Sequence, residues 1–328
     1  MSLTRQTAWR APSRHFVAQN STTLLALVIL VFSVVAYLVL YYQSLGHFPD
    51  QYDLTTIIDT ALPLAWVGLG QTIVVVTRGL DLSVGGVMSV AVALAASRMH
   101  DVGTMILWCV IVLLVGAFAG FVNGVLVAYA KLAPILVTLA TLSIFEGIAL
   151  VVLPQPGGQI PVGLTNVLTN PGHPYALIYL FLILGIWSVF RRTSLGTAIF
   201  ATGNDETAAT ANGINVARAT LAAYVLSGLF AAVAGLFVAA QTTAGDPGAG
   251  NPFVLTSIAA VFLGGATIFG GRAHALGTVC GALVLTLIVS VLFYANVNQL
   301  YQAMYEGLLL ILAVLLGILV GKLARTSR

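Results

Sequence analysis

The chain has 328 residues, of which 59% are apolar and only 7% charged, with a formal net charge of +3. Soluble domains carry about 25% charged residues, and a chain of this length cannot cover an aqueous surface with so few, which excludes a soluble globular enzyme. The small positive balance is spread over loops and termini, without the clustered basic face that tracks phosphates, so nucleic acid is not an expected partner and a lipid bilayer is.

The first apolar run, Thr22 to Tyr42, carries no charge. At 1.5 Å rise per residue it reaches about 31 Å, enough for a hydrocarbon core of about 30 Å. Arg5, Arg10 and Arg14 precede it, but the run is too long for a signal peptide and no small-residue cleavage site follows, so a retained span is predicted. Further spans are predicted at 56–77, 83–98, 104–130, 132–153, 174–190, 217–241, 255–270, 273–294 and 302–322. The expected fold class is all-α: a polytopic membrane protein with about ten transmembrane helices, some of them broken or re-entrant. It forms a single membrane domain over 21–323, with cytoplasmic tails at 1–20 and 324–328.

Short basic loops stay cytoplasmic, so charge sets the orientation. With the N-terminus inside, Arg5, Arg10, Arg14, Arg78, Lys131, Arg191, Arg192, Arg218, Arg272, Lys322, Arg325 and Arg328 all fall on the inner side, and only Arg98 falls outside. The predicted outer loops at 43–55, 154–173, 242–254 and 295–301 hold no Lys or Arg.

Glycines interrupt the predicted spans from Gly79 through Gly85 to Gly86, and again at Gly264, Gly265, Gly270 and Gly271. A helix broken at membrane depth survives only where protein or a water-filled cavity satisfies the freed backbone groups, which points to a transport path. The interruptions share a spacing, Gly79 to Gly85 and Gly271 to Gly277, which an internal repeat or coincidence in a chain with 33 glycines would equally give. The fourth span carries Gly116, Gly120 and Gly124, a stripe that lets another helix approach its backbone. Packing within the chain is expected there in preference to a dimer seam.

The sequence lacks G-x-x-x-x-G-K-[ST], so any ATP must be hydrolysed on another chain. H-E-x-x-H, G-x-S-x-G and a Cys/His cluster at metal spacing are also missing, and no catalytic or metal-binding residue is assigned. Cys109 and Cys280 sit in apolar runs as small hydrophobes. Acidic residues near membrane depth are few: Asp59, Asp81, Glu146 and Glu306. Such groups are costly in lipid and mark functional positions, although Asp59 and Asp81 also suit helix starts, where a carboxylate caps free N–H groups. Glu146 lies mid-span in T-L-S-I-F-E-G and is the candidate to face a cavity, with a structural partner as the alternative.

The longest charged inner segment runs from Arg191 to Arg218. Asn204 is predicted to cap a short helix whose first turn holds Asp205 and Glu206, with Gly213 as its stop. Too polar and brief to span, this helix lies on the cytoplasmic surface, either as a docking peg for a soluble motor or as a plain loop helix.

Taken together, these segments resemble the membrane permease of the ribose-type, simple-sugar ABC importer family across nearly the whole chain. The stretches that carry the likeness are G-L-D-L-S-V-G-G at 79–86, G-F-V-N-G-V-L-V-A-Y-A-K at 120–131, V-T-L-A-T-L-S-I-F-E-G at 137–147, A-T-G-N-D-E-T-A-A-T-A-N-G-I at 201–214 and I-A-A-V-F-L-G-G-A-T-I-F-G-G-R at 258–272. The resemblance implies a second permease chain, identical or related, and a cytoplasmic ABC ATPase that holds the ATP and magnesium, leaving this chain without a cofactor. It also implies a periplasmic or lipid-anchored binding protein outside a bacterial inner membrane. It makes the segment about 191–216 the coupling segment, with Asn204, Asp205, Glu206, Ala208 and Gly213 as ATPase contacts. Gln71, Asn123, Thr138, Thr141 and Ser143, with Glu146, become candidates to line the path. Gly79, Asp81, Ser83, Gly85, Gly264, Gly265, Gly270 and Gly271 form the structural motif. Near Glu146 and Glu306 many relatives carry a basic residue, whereas this chain is acidic.

A neutral path of hydroxyls and amides suits a monosaccharide. Branched-chain amino acids, autoinducers and nucleosides are the rival solutes, and an ion-coupled secondary transporter is the rival from another class.

Overall fold

A computed structural model describes residues 14–298 other than 171 and 268, with isolated positions as far as 311. In chain order the helices are α1 (Arg14–Leu45), α2 (Gln51–Val76), α3 (Val84–Arg98), α4 (Val102–Ala128), α5 (Pro134–Val152), α6 (Val162–Leu168), α7 (Tyr175–Phe190), α8 (Ser194–Asn204), α9 (Glu206–Ala211), α10 (Val216–Thr242), α11 (Asn251–Leu263) and α12 (Ala275–Tyr294). The predicted spans from 22–42 to 273–294 coincide with α1, α2, α3, α4, α5, α7, α10, α11 and α12. The predicted span 302–322, apart from isolated positions as far as 311, lies outside the described residues, as do Glu306, the tail at 324–328 and residues 1–13 of the predicted tail 1–20, whose remainder opens α1.

Six helices are long and apolar enough to cross a bilayer by themselves, in α1, α2, α4, α5, α10 and α12, and the α7–α8 pair makes a seventh if its 78° bend lies within one span. The protein is therefore a multi-pass, all-helical membrane protein. The helices α3 and α11 are shorter, as their glycine-rich flanks predict: the span expected over 255–270 stops at Leu263, and a loop carries the chain to α12.

Local chemistry sets the boundaries. Asp50 and Asp53 form a reciprocal capping box at the start of α2, and Asp101 pairs the same way with Thr104 at α4. The Thr104 backbone N–H on Asp101 holds that carboxyl below the usual carboxylate range. Asn215 caps α10 through the Arg218 N–H at 2.9 Å, and proline at the first turn opens α5 and α11, where its missing N–H costs nothing.

Helix α2 is the axis of the bundle, buried continuously from Ala61 to Val76. Around it pack α10, α12, α11 and α7, with α4 and α3 against α10 and α5 on the far side of α3. The glycine stripe of α4 is used within the chain: a methyl group at Gly120 would strike the Tyr224 carbonyl, one at Gly116 the Gly228 carbonyl, and one at Gly124 Leu221. Backbones that close exchange dispersion contacts and weak Cα–H···O bonds, which drive helix association where lipid removes the hydrophobic term.

Segments assigned by charge to one side are neighbours. At one end Gly157 and Gly245 exchange backbone hydrogen bonds of 2.8 Å, and Ile160 N–H meets Thr243 O, joining two predicted outer loops. At the other, Gly271 N–H donates to Val76 O at 3.0 Å, joining two predicted inner segments.

Replacing Gly120 with Ala forces α4 off α10 and is expected to destabilise the protein by about 1–3 kcal/mol. The same change at Gly185, which has no atom within 4 Å of its added methyl, should stay within about 0.5 kcal/mol. Thermal denaturation of both variants in detergent checks the contrast.

Candidate functional site

The turn between α2 and α3 carries Gly79, Asp81 and Ser83, with Gly85 just inside α3. Asp81 is 1% exposed and is the hub of a buried network. Its Oδ1 accepts from the Ser83 N–H at 3.0 Å and the Ser83 hydroxyl at 2.6 Å, while Oδ2 accepts from the Ser227 hydroxyl on α10 at 2.8 Å. Asn123 on α4 donates its Nδ2 to Ser83 Oγ at 2.7 Å. The Gln71 amide on α2, oriented to match donor with acceptor, pairs with the Asp81 backbone at 3.1 Å to its carbonyl and 3.2 Å to its N–H. The Asp81 carboxylate ties α10 to the turn, the Ser83 hydroxyl adds α4, and the Asp81 backbone adds α2. Ser227 lies about 17 Å along α10 from its first residue, so the network sits inside the bundle. Two nearby polar atoms, Asn123 Oδ1 and the Tyr224 hydroxyl, have no hydrogen-bond partner.

Asp81 therefore stands at a helix start, as expected, and its carboxylate meets the Ser83 N–H there. Asp59 does not: it lies inside α2, where both carboxylate oxygens are buried without a partner. The cap of α2 is Asp50, because the outer loop ends earlier than the apolar run suggests.

The candidate path residues divide in two. Gln71 and Asn123 belong to the Asp81 network. Thr138 donates to Pro134 O at 2.9 Å, and Thr141 to Val137 O at 3.0 Å, each hydroxyl satisfied by its own helix while its side chain is buried. Ser143 is exposed and Glu146 half-buried, on a face of α5 shared with the exposed Leu136 and Leu139. The structure does not bring these two to the buried four. A cleft of about 310 Å³ lies elsewhere, between α1, α2 and α12, with Tyr37, Asp53, Thr60 and Tyr294 among its lining residues. Among the described residues, no cluster of three His, Cys, Asp or Glu could hold a metal.

The inner segment contains two helices rather than one. Thr193 caps α8 through the Gly196 N–H at 3.0 Å, a start that the sequence reading missed beside the more visible N-D-E. Because α8 runs on to Asn204, that residue cannot be the next cap. Asp205 takes the role: its Oδ1 accepts from the Thr207 and Ala208 N–H groups at 2.9 and 3.0 Å. Helix α9 then presents Glu206, Thr207, Ala208, Thr210 and Ala211 outward, with only Ala209 buried. Gly213, at φ 79°, ends it as predicted. Glu206, Thr207, Thr210 and Ala211 border a shallow hollow.

Arg78 joins the two regions, a contact that its place in the sequence, as a topology charge beside a glycine interruption, does not reveal. Its Nε donates to Gly203 O at 3.0 Å and its Nη2 to Asn204 O at 2.8 Å, two of the carbonyls left unpaired at the end of α8. A cation is favoured there by the helix dipole, and charged hydrogen bonds of this kind contribute about 1.5–3 kcal/mol. The residue holds a left-handed φ of 65°, uncommon for a side chain of this size. Gly270 and Gly271, at φ 75° and 72°, let the loop after α11 close over it: a methyl at Gly270 would meet Arg78, and one at Gly271 would meet Asn204. Gly264 packs against Gly277 at the start of α12, and Gly265 turns the chain at φ 93°.

Asp81→Asn keeps the shape of the hub but turns one acceptor oxygen into a donor facing a hydroxyl or N–H. A loss of about 1–3 kcal/mol in detergent thermal stability is expected, with Ser227→Ala costing about 1 kcal/mol.

A sequence-family model described as branched-chain amino acid transport system / permease component matches residues 54–318. The chain is 31% identical over 261 residues to the ribose import permease protein of Haemophilus influenzae, an alignment covering 76% of this chain and 80% of that protein. It is 30% identical over 324 residues to the fructose import permease protein of Rhizobium meliloti, covering 95% and 89%. It is 32% identical over 308 residues to the autoinducer 2 import system permease protein of Escherichia coli, covering 92% and 87%. No solved structure matches the chain. With the family model spanning α2 to the end of the described helices and relatives aligned over most of their length, the chain belongs to the branched-chain amino acid transport system / permease component family.

Proposed function

We propose that this chain is the permease subunit of an ATP-binding-cassette importer that carries a small hydroxylated solute, foremost a monosaccharide, across a bacterial inner membrane. Similarity over 76% of this chain to a permease named for ribose, and over 95% to one named for fructose, carries the substrate class. Helix α9 carries the mode of energisation. It is about 9 Å long, too short to cross lipid, and it stands exposed near the carbonyls that Arg78 holds. The family resemblance and this exposure support α9 as the docking peg for a cytoplasmic ATPase, with Asn204, Asp205, Glu206, Ala208 and Gly213 at or beside the contact. ATP and magnesium then belong to the ATPase, and this chain performs no catalysis.

In this reading about ten spans leave both termini in the cytoplasm, a second permease chain completes the pathway, and a periplasmic or lipid-anchored protein delivers the solute. Ser143 and Glu146 face the second chain and the path from α5. Gln71, Asn123, Thr138 and Thr141 hold the wall behind them. Closure of the ATPase pair pushes α9, and the bundle changes between outward-facing and inward-facing packings, a rigid-body switch of packed helices.

Autoinducer import is the second reading, favoured by the similarity to the Escherichia coli autoinducer 2 permease over 92% of this chain. Uptake of labelled ribose, fructose and autoinducer by cells carrying the full transporter separates the two. Uptake by this chain alone in liposomes, driven by an ion gradient, would instead identify a secondary transporter.

Glu206→Lys reverses charge on the exposed face of α9. ATPase copurification is expected to fall at least tenfold while membrane insertion is unchanged, as read by quantitative pull-down and membrane fractionation; normal copurification and uptake would remove α9 from the docking role. Glu146→Gln is expected to raise the half-saturating solute concentration about tenfold, the equivalent of losing one charged hydrogen bond. Initial uptake rates across a solute series check it.

A further inference from the structure

The six residues from Val76 to Asp81 are held at both ends. At the near end, Val76 O accepts from Gly271 N–H, and the Arg78 guanidinium spans the carbonyls of Gly203 and Asn204. At the far end, Asp81 is fixed to α10 by Ser227, and Ser83 connects it to Asn123 of α4. Asn204 is the last residue of α8, and Asp205, the next residue, caps α9. Displacement of α9 therefore reaches the two carbonyls gripped by Arg78 through Asp205 alone, whose side chain caps α9 and whose N–H closes α8 on Ala201 O at 3.1 Å.

The other exit from α9 is a closed turn, with Gly213 N–H on Thr210 O at 2.9 Å and Ile214 N–H on Ala209 O at 3.0 Å. It passes through Gly213, in the left-handed region and with no atom within 4 Å of where a methyl would stand, and then through exposed Asn215 before α10 begins. Movement of α9 can enter the bundle at either end, and Arg78 lies on the route through α8. The side chain suits the task, because a planar fork reaching two successive carbonyls fixes orientation as well as distance, whereas a lysine ammonium acts as a point charge on a flexible stem.

We propose that Arg78 is the positioning residue that transmits movement of α9 to the Asp81 network, clamping the end of α8 and the α2–α3 turn into one body through the transport cycle. The proposal rests on the reading of α9 as the ATPase docking helix.

The complete transporter, reconstituted in liposomes with its ATPase and binding protein, tests it through solute taken up per ATP hydrolysed. Arg78→Ala should keep the ATPase bound and hydrolysing while that ratio falls at least tenfold, and Arg78→Lys should recover less than a third of it. In a Cys109→Ala, Cys280→Ala background, the pair Arg78→Cys and Asn204→Cys should be similarly defective and should regain transport when a short bifunctional thiol reagent ties the two positions. A ratio within twofold of the unsubstituted protein, or a tether that stops transport in the tied pair, overturns the clamp. Loss of bound ATPase would make Arg78 a docking residue, and failure of the variants to accumulate in membranes would make it a folding residue; either result also overturns the clamp. Glu206→Lys measured alongside keeps the two readings apart. If it is defective and Arg78→Ala is normal, only the clamp fails, and if both are normal, the docking role of α9 fails with it.

Discussion

A chain that breaks a helix inside a packed bundle must satisfy the freed backbone groups from within, since apolar neighbours offer no donor or acceptor. The Asp81 carboxylate and the Gln71 amide meet that constraint at the α2–α3 turn. The carboxylate takes a backbone N–H and two hydroxyls, and the amide pairs with the Asp81 backbone itself. With these in place α2 can stop, turn and lead into α3 with both the carboxylate and the backbone of Asp81 paired. A buried carboxylate is expensive and loses most when its donors are removed, so the arrangement is specific as well as stabilising.

That constraint orders the packing around it. Ser227 can reach Asp81 only if α10 lies close along α2, and Asn123 can reach Ser83 only if α4 lies equally close along α10. Gly116, Gly120 and Gly124 make the second approach possible by removing the side chains that would hold the backbones apart. The polar hub joins α2, α4 and α10, and the glycine stripe lets two of them, α4 and α10, close, one supplying direction and the other proximity. Helix α5 stands outside this core. It packs on α3 by one face and leaves a largely apolar face uncovered, with Ser143 and Glu146 on it. The polar groups that look alike in the sequence therefore sit differently: Gln71, Asn123, Thr138 and Thr141 are buried, and Ser143 and Glu146 stand on the uncovered side of α5.

The same turn gives the bundle a mechanical connection. Helices packed at high density change arrangement by moving as bodies and not by bending, so a surface helix influences the core only through stiff contacts. The end of α8, the loop bearing Gly270 and Gly271, and the end of α2 meet at Arg78. Both glycine interruptions of the sequence come together there, placing the breaks of two separate spans against each other.

The sequence by itself determined what is local. Apolar runs and charge placement gave the membrane class and most helices, and Gly213 and the carboxylates of N-D-E gave the position of α9 to within a residue. The cap was assigned to Asn204 in place of Asp205 because α8 was not foreseen, and a helix already occupying Asn204 removes it from that choice. What only the tertiary structure decided is which distant groups meet. Asp81 and Ser227 are 146 residues apart, and Arg78 and Asn204 are 126 apart. Their meeting depends on the rotation and offset of whole helices, and no short window of sequence encodes those. For that reason Asn123 and Gln71 read equally well as lining a path or bracing a core, until the helices that carry them are set side by side.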